Sequence, residues 1–386
     1  MPYWKKNKLM NSKNIVVYAD AKPIKGVEHP GTHQIYQNPR VFLETRTLGD
    51  LDPNEIRVQM IYAGVCGTDI HLLETHPDTG YTKCSAPAFI PETGRVLGHE
   101  GVGKVLAIGQ NIRHLKIGDY VALESIIVCH HCYPCRKGNF NQCVNAKLLG
   151  MEKDGIFGSI VDVPGMLAYN ITDYLRDEQD LQAFACIEPA GVAYVACENA
   201  QIKPGHRILI FGAGPIGLLT ALMSKEIFGA CEVHLVEPVN FRRQFAQKWA
   251  DQVYDVNDFL ANCSEKFDVI VEASGNLNNI NGTFRQLNPN GHVILLARSG
   301  EPLLVEAIDH MITNQISMIG SRGHLGGVFQ NLFELYKSGK LPLHNLITNI
   351  VPSLEELCTL FRENRTQIIE KNCKVLVQLC HNHERV

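Results

Sequence analysis

The stretch Ile208-Leu209-Ile210-Phe211-Gly212-Ala213-Gly214-Pro215-Ile216-Gly217 limits the fold more than any other in this 386-residue chain. A short, wholly apolar run suits a strand buried on both faces, the condition of a parallel sheet covered by helices. The glycines that follow have G-x-G-x-x-G spacing and open the apolar segment 218–228. Such a turn lets backbone approach a pyrophosphate, whose charge the helix N-terminus favours. The motif alone is weak, but the strand before it and the apolar segment after it supply the required context. Further apolar strands are expected at 233–236, 269–271, 293–296 and 316–319, with helical segments between them. That alternation predicts an α/β unit with a doubly wound parallel sheet of the Rossmann type.

Gly212, Gly214, Pro215, Ile216 and Gly217 are therefore candidate cofactor contacts. Glu237 ends the next strand, 20 residues after Gly217. A carboxylate there can accept hydrogen bonds from ribose hydroxyls and repels a 2′-phosphate, which favours NAD over NADP. Arg242 and Arg243 weigh the other way, because an arginine can hold that phosphate. Ser274, Leu296 and Arg298 fall at the carboxyl ends of later strands, the edge at which such sheets bind ligands. The alternative is a glycine-rich turn with no ligand.

The chain before this unit reads differently. Residues 1–13 are polar and basic and are expected to form a loose tail. Strands are expected at 15–18 and 56–62, a long irregular segment at 72–97, and glycine-punctuated strands at 98–105 and 116–122. That is the pattern of a small barrel-like β-domain. Helical spacing sets in over 183–200, and after the α/β unit a helix near 329–338 and a strand at 374–377 are expected to return to the first domain.

Thirteen cysteines need a reason, and four of them crowd into 129–143. Cys129, Cys132, Cys135 and Cys143 match the closed four-thiolate shell of structural zinc. An iron–sulfur cluster is the rival reading, but Val144 stands where a ferredoxin run has proline. His130 and His131 are expected at the surface of this lobe. Cys84, Cys186, Cys197 and Cys231 read as small buried hydrophobes, with Cys186 a possible competitor for metal near Glu188. The net charge of −4 gives no basic footprint for nucleic acid. No run reaches the length of a membrane span, and the N-terminus lacks the apolar core of a signal peptide. A cytoplasmic protein is expected.

Gly64-Val65-Cys66-Gly67-Thr68-Asp69-Ile70-His71 and Gly98-His99-Glu100 carry further metal-type donors, 33 residues apart from Cys66 to His99. No spacing rule links them. Together with the cysteine lobe and the late Rossmann unit they resemble the zinc-dependent medium-chain dehydrogenase/reductase superfamily, over about residues 14–380 and in motif order. The resemblance implies a GroES-like catalytic domain (residues 1–185 and 322–386) around an inserted Rossmann domain (186–321). Glu188-Pro189 stands where alcohol dehydrogenases of this superfamily carry a third zinc cysteine, as in the branch of polyol, butanediol, threonine and glucose dehydrogenases.

Carried over residue by residue, the resemblance makes Cys66, His99 and Glu100 ligands of a catalytic zinc. Glu188 is implied as a ligand directly or through water. Thr68 and His71 are the implied proton relay, and Asp69 orients a ligand. It further implies two zinc ions per subunit, NAD, a small alcohol or polyol substrate, and a homodimer or homotetramer. Residues 72–97, Arg322 and His324 are candidate pocket residues, the last two for an acidic substrate or for the cofactor. A zinc-free quinone-reductase-like enzyme and a non-catalytic binding protein on the same fold are the alternatives.

Overall fold

The computed structural model describes residues 10–324 and 327–380. The first sheet is a long antiparallel hairpin, Met10–Ala21 with Tyr36–Leu48, joined by the two-residue strand Arg95–Val96. This corrects the expected tail: residues 10–13 belong to a strand, and residues 1–9 lie outside the described residues. Apolar Ile15, Val16 and Val17 are fully buried and anchor the strand that the polar residues before them extend.

The second sheet holds the β-rich domain together. Its central strand, Glu55–Val65, pairs antiparallel with Glu100–Ile108, Ile160–Pro164 and Lys374–Gln378. The last of these comes from the end of the chain and pairs in parallel with Ile347–Val351. The C-terminal segment thus returns to the first β-sheet region, as expected.

The third sheet has six parallel strands in the order Gln252–Tyr254, Glu232–Val236, Arg207–Phe211, Phe267–Glu272, Leu287–Leu295, Ser317–Gly320. Chain order therefore reverses between the Arg207–Phe211 and Phe267–Glu272 strands, the switch point at which a dinucleotide crevice forms. The expected strands are all present, and Gln252–Tyr254 is an addition. The helical segment expected at 183–200 is two helices, Glu178–Phe184 and Ile187–Asn199.

One apolar core joins the units. It contains Ile61, Tyr62 and Val102 from the β-domain, Ile187 and Val195 from the helix Ile187–Asn199, and Ile208 and Ile210 from the parallel sheet. Phe329 and Phe333 of the helix Val328–Lys337 pack into the same core. Burial on this scale fixes how the glycine turn faces the β-domain.

Candidate active site

Cys66 caps the helix Gly67–Leu73, directly after the central strand Glu55–Val65. Its backbone N–H donates to Asp69 Oδ2 at 3.0 Å, so the cap is held by the helix it opens. Glu100 begins the neighbouring strand, directly after His99, and the strand's register sets Glu100 opposite Gly64. Strand pairing is therefore what brings the two motifs together, and no sequence spacing could show it. One donor atom each from Cys66, His99 and Glu100 lie within 4.8 Å of one another.

Asp69 is fully buried and ties both motifs: its other oxygen accepts from the Gly98 N–H at 3.3 Å and lies 3.9 Å from His99 Nδ1. Burial opposes charge on His99, but the Cys66 thiolate and then Asp69 raise its pKa well above the usual imidazole value. His99 Nδ1 and Glu100 Oε2 are buried with no hydrogen-bond partner among the described residues. A half-buried thiol, a buried imidazole and a partnerless carboxylate oxygen, gathered this closely, fit a zinc ion.

Glu100 Oε1 is bound by the ammonium of Lys374, a fully buried lysine from the last strand that also donates to the Val65 carbonyl at 3.2 Å. Gly64 makes room for this pair: a Cβ there would stand 2.7 Å from Lys374 Nζ and 2.8 Å from the Glu100 carboxyl carbon. Sequence reasoning missed Lys374, whose only signal is a charge at the start of an apolar strand.

Glu188 stands apart from the three gathered donors. Its Oε1 accepts from Ser125 Oγ at 2.6 Å and lies 3.4 Å from His324 Nε2. Burial would raise its pKa, but His324 and then His99 hold it at about 2. His324 in turn donates through Nδ1 to Glu124 at 2.7 Å. It is buried within this network, so the expectation that it meets substrate or cofactor is not met by its position. Cys186 is buried with Sγ 3.7 Å from the Gln182 carbonyl, and it is not one of the three gathered donors.

Thr68 Oγ1 lies 3.6 Å from Cys66 Sγ, beside the donor set. His71 is exposed on the same helix, with Nδ1 3.5 Å from Glu74 Oε2. No hydrogen bond joins it to Thr68 among the described residues.

The cysteine lobe closes as expected. Donor atoms of Cys129, Cys132, Cys135 and Cys143 gather within 4.8 Å. Backbone N–H groups of Cys129 and Asn145 point at Cys143 Sγ, each at 3.4 Å. The backbone at His131 leads in lowering the Cys129 thiol to about 5, while burial and its sulfur neighbours push Cys135 up to about 12. His130 and His131 lie outside the donor group. Cys231, expected to be buried, is exposed, with Sγ 3.0 Å from the Gly205 carbonyl.

At the glycine turn, Gly212 has φ +102°, and a Cβ on Gly217 would lie 1.9 Å from the Gly212 carbonyl oxygen. Both positions require glycine. Gly214 caps the helix Pro215–Glu226, with Pro215 in its first turn. The nearest atom to a Cβ on Gly214 is Arg242 Nη1 at 3.9 Å, so the backbone is open there to a ligand. Glu237 is buried; its oxygens accept from the Ala213 and Val239 N–H groups at 2.7 and 2.8 Å. Its carboxylate therefore also braces the turn.

Arg242 Nε donates to the Asn372 carbonyl at 3.2 Å, and Arg243 donates to the carbonyls of Glu237 and Pro238 at 3.0 and 2.9 Å. Ser274 is turned back on its own strand. Its hydroxyl and its N–H both donate to Glu272, a fully buried carboxylate that the sequence did not flag. Leu296 is half-buried at the same edge. Arg298 is exposed, and the surrounding protein together with the charge of Arg322 lowers its pKa.

Comparison with known proteins agrees with this arrangement. Residues 52–173 match the alcohol dehydrogenase GroES-like domain, and residues 215–338 match the zinc-binding dehydrogenase model. The chain is 30% identical to Probable D-xylulose reductase A of Aspergillus clavatus, over 83% of this chain and 88% of that protein. It is also 30% identical to L-threonine 3-dehydrogenase of Pyrococcus abyssi, over 81% of this chain and 90% of that protein. A solved Thermotoga maritima structure, assigned as an alcohol dehydrogenase, superposes with TM-score 0.83 at 26% identity, covering 95% of this chain and all of that one (100%). The chain belongs to the zinc-dependent medium-chain dehydrogenase/reductase superfamily.

Proposed function

We propose that this enzyme reversibly oxidises a secondary hydroxyl of a small polyol, diol or sugar derivative, with NAD in preference to NADP. The observation that carries the reading is the gathering of Cys66, His99 and Glu100 within 4.8 Å, in a sheet whose core is continuous with the nucleotide-binding unit. Relatives named for a xylulose reductase and a threonine dehydrogenase support the substrate class, as does Glu188 in the place of a third thiol.

Cys66, His99 and Glu100 through Oε2 would hold the catalytic zinc, with Glu188 as a fourth, exchangeable ligand. Cys129, Cys132, Cys135 and Cys143 would hold a second, structural zinc with no open position. Bound zinc would supply the Lewis acidity that makes a hydroxyl acidic near neutrality, and the nicotinamide would supply the hydride acceptor. Thr68 Oγ1, next to Cys66, would hydrogen-bond the substrate hydroxyl and pass its proton on, giving up its own as it accepts. His71, on the solvent side of the same helix, is the exit for that proton. Asp69 orients His99, and Lys374 holds Glu100 so that one oxygen remains for the metal. Gly212, Gly214, Pro215, Ile216 and Gly217 would line the pyrophosphate. Glu237 and Arg242 would meet the ribose end, and Ser274, Leu296 and Arg298 the nicotinamide edge.

This reading keeps the division into a catalytic domain of residues 1–185 and 322–386 and a Rossmann domain of 186–321. It extends to a cytoplasmic homodimer or homotetramer. Among the described residues no helix is long and apolar enough to cross a membrane. A zinc-free reductase or a binding protein on the same fold would have no use for the buried donor set. The test is metal analysis with NADH absorbance against a polyol and diol panel: at least two zinc ions per chain, one lost in Cys66→Ser and one in Cys143→Ala, and NAD reduction support the reading. Turnover by zinc-free protein, or none with any secondary alcohol, overturns it.

A further inference from the structure

The parallel sheet carries another group of metal-type donors, away from the glycine turn. The strands Arg207–Phe211, Glu232–Val236 and Phe267–Glu272 run in one direction, with the cofactor crevice at their carboxyl ends. Toward their other ends, His234 is wholly buried among Glu232, Arg207, Tyr254, Cys263 and Glu265. One donor atom each from His234, Cys263 and Glu265 lie within 4.8 Å of one another.

The imidazole is aimed. Nε2 lies 2.8 Å from Glu232 Oε1 and carries the N–H; in the neutral ring Nδ1 is then the lone-pair donor that faces Glu265, Cys263 and Tyr254. The ring is set edge-on to Phe267, with centroids 5.1 Å apart. Nδ1 lies 3.4 Å from Glu265 Oε2, and Cys263 Sγ lies 4.0 Å from that same oxygen. Zinc bonds of about 2.0 Å to nitrogen and oxygen and about 2.3 Å to sulfur place tetrahedral donors about 3.3–3.6 Å apart. The imidazole and carboxylate already have that separation, and the Cys263 sulfur, 4.0 Å from Glu265 Oε2, has to close on that oxygen by about 0.5 Å.

The charges also balance. Arg207 binds Glu232 through Oε2, at 2.6 and 2.8 Å, and approaches Glu265 through Oε1 at 3.7 Å. Each carboxylate thus keeps its other oxygen for the histidine or a metal. Two carboxylates and a thiolate against one guanidinium leave two negative charges, which a divalent cation would neutralise. Burial, and Glu265 beside it, raise the pKa of the Cys263 thiol. Tyr254 Oη, 3.4 Å from Nδ1, is placed to hydrogen-bond a water in a fourth position. The half-exposed Glu265 gives the group an opening to solvent.

We infer that His234, Cys263 and Glu265 form an additional site for a zinc-class divalent metal, with Glu232 as the outer carboxylate that orients the imidazole. The metal would cross-link the strand Glu232–Val236 to the loop after the helix Val256–Asn262. It takes no part in hydride transfer.

The test is zinc binding by the full chain in equilibrium dialysis, after the Cys66 and cysteine-lobe sites are filled. Wild type should take up one further equivalent, and its thermal midpoint should rise with added zinc. Cys263→Ser and His234→Gln should each lose the extra equivalent and the thermal response while binding NADH as wild type does. Glu232→Gln should bind it ~10–100-fold more weakly, the usual effect of losing an outer partner. Absence of the further equivalent in wild type overturns the site and leaves His234 a plain ion-pair histidine. So does an extra equivalent that persists in Cys263→Ser or in His234→Gln; if one variant does not fold, the other decides.

Discussion

A lysine ammonium taken wholly out of water costs several kcal/mol unless a counter-charge meets it. Lys374 meets the Glu100 carboxylate and the Val65 carbonyl, and burial makes both partners dependent on the pair. In zinc-free protein, Lys374→Met should therefore strand a buried carboxylate and lower stability by about 3–5 kcal/mol in urea unfolding. A loss under about 1 kcal/mol would show that Glu100 is held by something else. Cys66→Ser or His99→Ala should abolish turnover and remove one zinc, with NADH binding retained in a fluorescence titration. Full activity in either variant would dismiss the donor set. Glu237→Ser should raise the use of the 2′-phosphorylated cofactor; because Glu237 also braces Ala213 and Val239, affinity for NAD should fall as well. An unchanged cofactor ratio would assign discrimination to Arg242. The glycines were legible because their spacing follows an apolar strand, and Cys66 and His99 through the motifs of the family resemblance, since no spacing links the two. Lys374, Ser125 and Glu272 were not, because each matters only through a contact. Lys374 meets a residue 274 positions away, Ser125 one 63 away, and Glu272 disappears into the end of an apolar strand.

At the scale of elements, the parallel sheet was legible because a strand buried on both faces is apolar throughout. The strand Tyr36–Leu48 was not. Its burial alternates, and the pair Asn38-Pro39 interrupts it where the ladder shifts register opposite Tyr18 and Asp20. Asn38 has φ +50°, and the following proline has no N–H to donate, so the local text reads as a turn inside an edge strand. The strand Gln252–Tyr254 has three residues, too few for any period to show. The cysteine lobe has almost no regular structure, only the four-residue helix Tyr133–Arg136 and a short 3-10 turn, so on the proposed reading the structural zinc would hold its shape. Asn141 in the lobe donates to the Arg322 carbonyl at 2.8 Å, which ties the lobe to the segment leaving the parallel sheet. Cys143→Ala should therefore lose one zinc and lower the thermal midpoint by at least ~3 °C, the shift that about 1 kcal/mol produces in a domain of 150–250 residues. Zinc content and calorimetry check it; an unchanged midpoint would make the lobe's metal dispensable.

The whole molecule depends on how the β-domain and the parallel sheet are joined, and the short helix Glu178–Phe184 is one of the joints. Glu178 accepts the hydroxyl of Tyr62 from the central β-strand. Asp180 accepts the hydroxyl of Tyr336 at 2.5 Å, from the helix Val328–Lys337 that packs on the other side. Asp180 also accepts three bonds from Arg176, between 2.7 and 3.1 Å. Burial alone would raise its pKa, but the Arg176 and Tyr336 bonds outweigh burial and hold it at about 2, against 3.8 for the free side chain. A carboxylate lowered in the folded state adds stability that is fully present above the unfolded pKa and disappears as pH falls through the folded one. The size of the shift makes this about 2 kcal/mol. Asp180→Asn should therefore be about 2 kcal/mol less stable than wild type at neutral pH, with the gap closing as pH falls from about 4 towards 2. Urea unfolding of both proteins across that range checks the sign. A gap that stays constant with pH would mean that Asp180 holds the joint by shape and not by charge.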